Sequence, residues 1–389
     1  MPGRRASAAS AQSAQERLEA AAHLGDCPSG RVNGDQAAIR QAVATQTRAI
    51  ATGDKAAYLA TFAPVDAEFS LERSRWFDYR LAAELADLRV TVEALERRDA
   101  DTWAVKIWQR YLIGADRSAR EVRFTRLYRR QVDGAWLAAD LAFSTLETDH
   151  FQLRHAAAAD RAALQRVAAA AEAAWSLVHD GYGAAPADKT AVKLYTDREL
   201  LRQDSKITIG RLFNGWGEPG ESIKLWLRPD PDWSARSALA HELVHKVSLA
   251  ESANLCSWFA EGLANHYGSF PGFGGSYLGT GRHQPADYDK PLAWLEAFDP
   301  DAVDNDADWW VYGGMAAAVV RFMAESYGPD APRRLVQALA AWPQERAGYV
   351  WSIHDATLRG YLDLALRQAL GLDMAGLDAA WRRWIKALD

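Results

Sequence analysis

An α+β fold is predicted for this 389-residue chain by three observations. Four β-patterned runs separated by turn signals lie between residues 88 and 143, helical periods precede and follow them, and the period changes again after residue 149. The expected order is a mostly disordered tail over 1–33, a helix-plus-curved-antiparallel-sheet domain over 34–148, and a mostly α-helical domain with a small sheet over 149–389. That length accommodates two or three cores at about 100–200 residues each.

The tail is rich in Ala, Ser, Gln and Gly, with only a short helical patch near Leu18. Asp35 is a candidate N-cap for a helix on which Ile39, Val43 and Ile50 recur, and "TGDKAAYLATFA" starts a second helix after Gly53. The strand candidates are "LRVTVEAL", "TWAVKIWQRYLI", "EVRFTRLYRR" and "AWLAADLAF"; alternation about Val122 and Phe124 implies a sheet with one buried face. Arg123, Arg126, Arg129 and Arg130 are read as a solvated strand face without a role. Next comes a long Ala-rich helix, "AADRAALQRVAAAAEAAWSLVHDGYG", with Gly181 or Gly183 as its C-cap. "KTAVKLY" and "GESIKLWLRPD" read as strands, the latter stopped by "PDPD". A helix capped by Asp232 or Ser234 follows.

Composition narrows the function classes. Lys plus Arg 45 against Asp plus Glu 51 gives a net charge of −6, which provides no electrostatic footprint for nucleic acid. No stretch approaches the ~20 apolar residues that span a bilayer. Two cysteines, Cys27 and Cys256, make no disulfide framework. The basic start "MPGRRASAASAQSAQ" lacks the apolar run of a secretory signal, so the expected compartment is the cytoplasm, with export after removal of a signal absent from this chain as the alternative. Sixteen Trp, including Trp309 and Trp310, are attributed to core and rim packing.

The chemistry concentrates in "ALAHELVHKVSLAESANLCSWFAEGLANHYG", residues 238–268. His241 and His245 are four apart, so a helix puts both imidazoles on one face and aims them at one ion. A catalytic zinc needs three protein ligands and one open position. Glu242 would sit beside the metal without binding it, placed to take a proton from a metal-activated water that attacks a carbonyl. Sixteen residues after His245 stands Glu261, on a second helix that Ser257 can cap and Gly268 can end.

His-Glu-x-x-His followed by Glu261 in a W-x-x-E-G-x-A phrase resembles the gluzincin zinc metallopeptidases, most closely their peptidase MA-like branch, over residues 149–389. The resemblance implies zinc held by His241, His245 and Glu261, with Glu242 as general base and Asn265 as hydrogen-bond partner of His241. It further implies "SIKLWLR" as the edge strand of the cleft and Tyr312, on the helix "DWWVYGGMAAAVVRFMAESYG", as a donor to the oxyanion. His266 is expected on the surface, and Arg282 and His283, in a Gly-rich rim loop, are candidates for substrate contact. "GDKAAYLATF" and "VDGAWLAADLAF" resemble phrases of nuclear transport factor 2-like domains, implying a cone-shaped accessory domain over 34–148.

The expected function is therefore zinc-dependent hydrolysis of peptide or protein substrates. Endopeptidase is favoured over aminopeptidase, because "GWGEPGESIKLW" contains Glu218 and Glu221 without the phrase that holds a substrate amine. The alternative is a non-hydrolytic, metal-containing protein that binds a peptide or small ligand.

Overall fold

The computed structural model describes residues 28–82, 85–113, 118–156, 160–207, 213–228, 234–268, 285–298, 306–344 and 356–388. Cys27, Arg282 and His283 lie outside the described residues. The fold is α+β, with two sheets and two hydrophobic cores among the described residues. No described helix is long and apolar enough to cross a membrane.

The first half opens with α1 (Pro28–Thr52), α2 (Lys55–Leu59) and α3 (Ala67–Ala82). Helix α1 starts at Pro28, inside the segment expected to be disordered, and Asp35 is not its cap. The Asp35 carboxylate lies buried within the helix and accepts a hydrogen bond from the Trp136 indole at 3.3 Å, so a partner distant in sequence takes the place of the capping role. Asp54 caps α2 by accepting from the Ala57 amide. Strands β1 (Ala86–Arg97), β2 (Thr102–Ile113), β3 (Ser118–Arg130) and β4 (Trp136–Ala139) form an antiparallel meander in that order. The run "AWLAADLAF", expected as one strand, breaks after Ala139; its last residue, Phe143, opens β5 (Phe143–Glu147) of the second sheet. Asp140 at the break is buried against Lys193 of the second sheet, an ion pair of 2.6 Å.

The second sheet has the order β5-β6-β7-β9-β8, where β6 is Phe151–Ala156, β7 Thr190–Tyr195, β8 Gly215–Trp216 and β9 Ile223–Trp226. Helix α4 (Arg161–Tyr182) joins β6 to the parallel β7, capped by Asp160 at its start and by Gly183 at its end. Gly183 adopts φ +81°, a left-handed value that glycine reaches without penalty. Contrary to the expectation for "SIKLWLR", β9 is interior: it pairs with β7 on one side and β8 on the other, which leaves the short β8 at the edge. All of β9 but Trp226 is buried, as a strand covered on both faces requires.

Helix α5 (Arg198–Ser205), absent from the sequence expectations, ties the halves together. It packs against α3 and β3, and its Leu200 and Leu201, with Ile207 and Tyr195, share one core with Trp103, Val105, Phe124 and Tyr128 of the first sheet. Asp204 sits at its end, paired with Arg73 at 3.0 Å and Arg126 at 2.7 Å. Arg126 is thus a buried partner of the second half, while Arg123 stays exposed with Glu93 and Glu121. Conversely, Tyr79 of α3 belongs to the core of the second half. Helices α6 (Ala235–Glu251), α7 (Ser257–Tyr267), α8 (Leu292–Ala297), α9 (Asp306–Tyr327), α10 (Ala331–Ala340), α11 (Ala356–Leu370) and α12 (Met374–Lys386) complete that core.

Candidate metal centre

Ser234 caps α6, accepting from the Ser237 amide at 3.3 Å; Asp232, the other candidate, lies outside the described residues. Leu239, Ala240, Leu243 and Val244 are fully buried, so α6 has apolar contacts on most of its circumference and His241 and His245 share the remaining direction. Helix α7 begins after Cys256, which takes the N-cap position expected of Ser257, and ends at Gly268. Gly262 explains the glycine after Glu261: a Cβ there would meet the Ala316 carbonyl oxygen at 2.6 Å and Val320 at 2.9 Å. Only glycine lets α7 approach α9 this closely, and that approach fixes the helix from which Glu261 projects.

The three expected ligands converge. His241 Nε2 and His245 Nε2 are 3.1 Å apart, Glu261 Oε2 is 3.5 Å from His241 Nε2, and Glu261 Oε1 is 3.4 Å from His245 Nε2. Donors about 2.0–2.1 Å from one ion at tetrahedral angles stand about 3.3 Å from each other. Two imidazole nitrogens and a carboxylate gathered at that spacing fit a divalent metal in both geometry and donor chemistry. Among the described residues this is the one such group of three or more.

Burial and mutual charge set the electrostatics. Burial pulls His241 down to about 4, against Glu261, which favours its protonated form, and the ring is hydrogen-bonded to Asn265. For His245 burial also works against charge, yet Glu261 prevails and raises it. Glu261 in turn is lowered: burial would lift it, but His245 and His241 hold it ionised. Burial pushes Glu242 up to about 8, with Glu261 adding to the rise. A bound cation would keep both imidazoles neutral and draw the Glu242 carboxyl back toward its ionised form.

Glu242 stands beside the ligands in a cavity also lined by Phe213, Gly215, Trp216, Gly217 and Glu218. The glycine pair is dictated by Glu242 itself. A Cβ on Gly215 would fall 2.3 Å from Glu242 Oε1, and one on Gly217 would fall 2.7 Å from the Glu242 carbonyl oxygen. The cavity continues past His241 to Asn265, Trp309, Trp310 and Gly313, so both tryptophans that were assigned to packing reach its wall. Asn265 is buried, lines this extension beside His241 and donates to the Gly313 carbonyl at 3.5 Å.

Tyr312 lies on the same helix as Trp309, Trp310 and Gly313 of this wall. It is fully buried, its ring stacked on Phe298 at 4.2 Å, and it does not join the cavity wall formed by the described residues. Its ring also lies 5.9 Å from that of Trp309, which lines the cavity, so packing against Phe298 and Trp309 is the role its surroundings display. His266 is half-buried toward Arg321 and Glu325 of α9, away from the cavity, and burial lowers it to about 4. Phe213 and Glu218 carried no signal strong enough to place them here; the two glycines flanking Trp216 were the available clue.

Compared with models of known protein families, the chain matches none, and no curated protein matches its sequence.

Proposed function

We propose that the chain is a metal-dependent hydrolase. More narrowly, we read it as a zinc peptidase that cleaves peptide or protein substrates, its second half a gluzincin-like catalytic domain and its first half a nuclear transport factor 2-like accessory domain. The observation that carries this reading is the convergence of His241, His245 and Glu261 at ligand spacing with the Glu242 carboxylate beside them in one cavity. Two imidazoles and one carboxylate are a zinc donor set that leaves a coordination position open. Zinc held there supplies Lewis acidity for the scissile carbonyl and acidifies the attacking water.

The side chains of the protein do the rest. Glu242 takes the proton of the attacking water and returns it to the leaving amine, a role suited to a carboxyl that environment can move across the neutral range. Asn265 holds the His241 ring and so fixes which nitrogen faces the ligand group. Glu218, the other acidic group on the cavity wall, already accepts from the Tyr79 hydroxyl and pairs with Arg75 at 3.4 Å. A carboxylate so engaged is a poor anchor for a free substrate amine, which favours endopeptidase over aminopeptidase action.

The test is cleavage of a quenched fluorescent peptide library by zinc-loaded protein, with and without a chelator. Chelator-sensitive cleavage within peptides is the expected result. A zinc-loaded protein that binds peptides and cleaves none would replace this reading with that of a metal-containing binding protein.

A further inference from the structure

We infer that Arg75 and Tyr79, on α3 of the first half, are positioning residues for the cleft of the second half. The inference rests on the peptidase reading for its consequence in turnover, though not for its structural content. Both side chains cross the boundary between the two cores. Tyr79, 3% exposed, sits in the core of the second half, its ring edge-on to Trp216 at 5.8 Å, and its hydroxyl donates to Glu218. Arg75 donates to the Pro219 carbonyl at 2.6 Å and pairs with Glu221 at 3.2 Å and Glu218 at 3.4 Å.

The segment they grip, 215–221, is the cleft rim. Trp216 and Glu218 line the cavity with the three ligands, while Gly215 and Gly217 lie so close to Glu242 that neither has room for a Cβ. From the other side Lys246, on the same helix as His241 and His245, donates to the Glu218 carbonyl at 2.9 Å. The rim is thus held between α3 and α6, and β8 at its start is only two residues long, with a single sheet partner. A two-residue edge strand provides little ordering of its own. Removing the α3 contacts frees the rim to withdraw from Glu242, and the first half becomes part of the catalytic apparatus through α3.

The experiment compares full-length Arg75→Met, Arg75→Lys and Tyr79→Phe with Val43→Ala, a core substitution in the first half remote from the cleft. Hydrogen exchange of residues 213–222 is measured beside zinc content and peptide cleavage per zinc-loaded molecule. Arg75→Met and Tyr79→Phe are expected to speed rim exchange by at least about tenfold and to lower kcat by about tenfold or more at unchanged zinc content. Arg75→Lys should recover most of the loss, and Val43→Ala should change neither quantity. Rim exchange that matches the wild type, or that rises equally in Val43→Ala, overturns the inference, as does an unchanged kcat. If the wild type cleaves no peptide, the peptidase reading falls, and the exchange comparison still decides whether Arg75 and Tyr79 hold the rim.

Discussion

Replacing Glu242 by Gln isolates the proton-transfer role from every other property of the site. The amide is nearly isosteric with the carboxylate, which matters because Gly215 and Gly217 leave no spare room around this side chain. Glu242 is not one of the three converging ligand residues, so metal capacity should stay at its wild-type level. Since burial raises the carboxyl to about 8, a neutral group at this position costs the fold little. What disappears is the base. General-base catalysis typically contributes about 10²–10⁴ in rate, or about 3–5 kcal/mol of barrier. The assay is kcat on a cleaved fluorogenic peptide, with zinc content and thermal midpoint measured on the same preparation. A drop of two orders or more at constant zinc supports the role. A loss of activity less than about tenfold, or a parallel loss of zinc and activity, refutes it.

Further predictions follow from neighbouring features. Glu261→Ala removes one of three donors and should weaken zinc binding by about 10²-fold or more in a competition titration; unchanged affinity would move the third ligand elsewhere. Asp204→Ala leaves Arg73 and Arg126 buried without their shared carboxylate, so stability to urea should fall by about 3–5 kcal/mol, whereas a change under 1 kcal/mol would contradict the buried-pair account. Gly262→Ala forces α7 from α9 and should cost about 1–3 kcal/mol; a neutral effect in the same urea assay would show that the helices have slack. The Glu72 and Asp204 carboxyls are lowered despite burial, by Lys224 and Lys193 for the first and by Arg126 and Arg73 for the second. A lowered carboxyl stabilises the fold fully above its ordinary value near 4 and loses that contribution as pH falls toward the folded value. The thermal midpoint should therefore decline steeply below about pH 4; a midpoint that rises on acidification there would reverse the assigned sign.

The ligand group was legible because its signal is local. Spacing along α6 puts His241 and His245 on one side, and Glu261 arrives in a phrase whose glycine has a packing reason. Much of what surrounds the group was illegible because its pairing is distant. Helix α3 buries Glu72 and Arg73 together with Phe69, Trp76, Phe77 and Tyr79, so charged and aromatic residues are mixed on its inward side and no clean apolar stripe marks it. Arg126 was recoverable: it has the same parity along β3 as Val122 and Phe124, which marks it as inward. The break after Ala139 and the interior position of β9 depend on sheet order, which local alternation does not encode. Tyr312 shows the complementary limit, since resemblance supplies a residue type and a helix while the position of the ring is decided by Phe298.

Metal content of the purified full-length protein, measured by elemental analysis in parallel on wild type and His241→Ala, tests the central claim most directly. One zinc per chain is expected in the wild type and its loss in the variant, because His241 Nε2 stands 3.1 Å from His245 Nε2 and 3.5 Å from Glu261 as one of the three donors gathered among the described residues. Wild-type protein without metal after zinc is supplied, or a variant that retains the full complement, would contradict that claim.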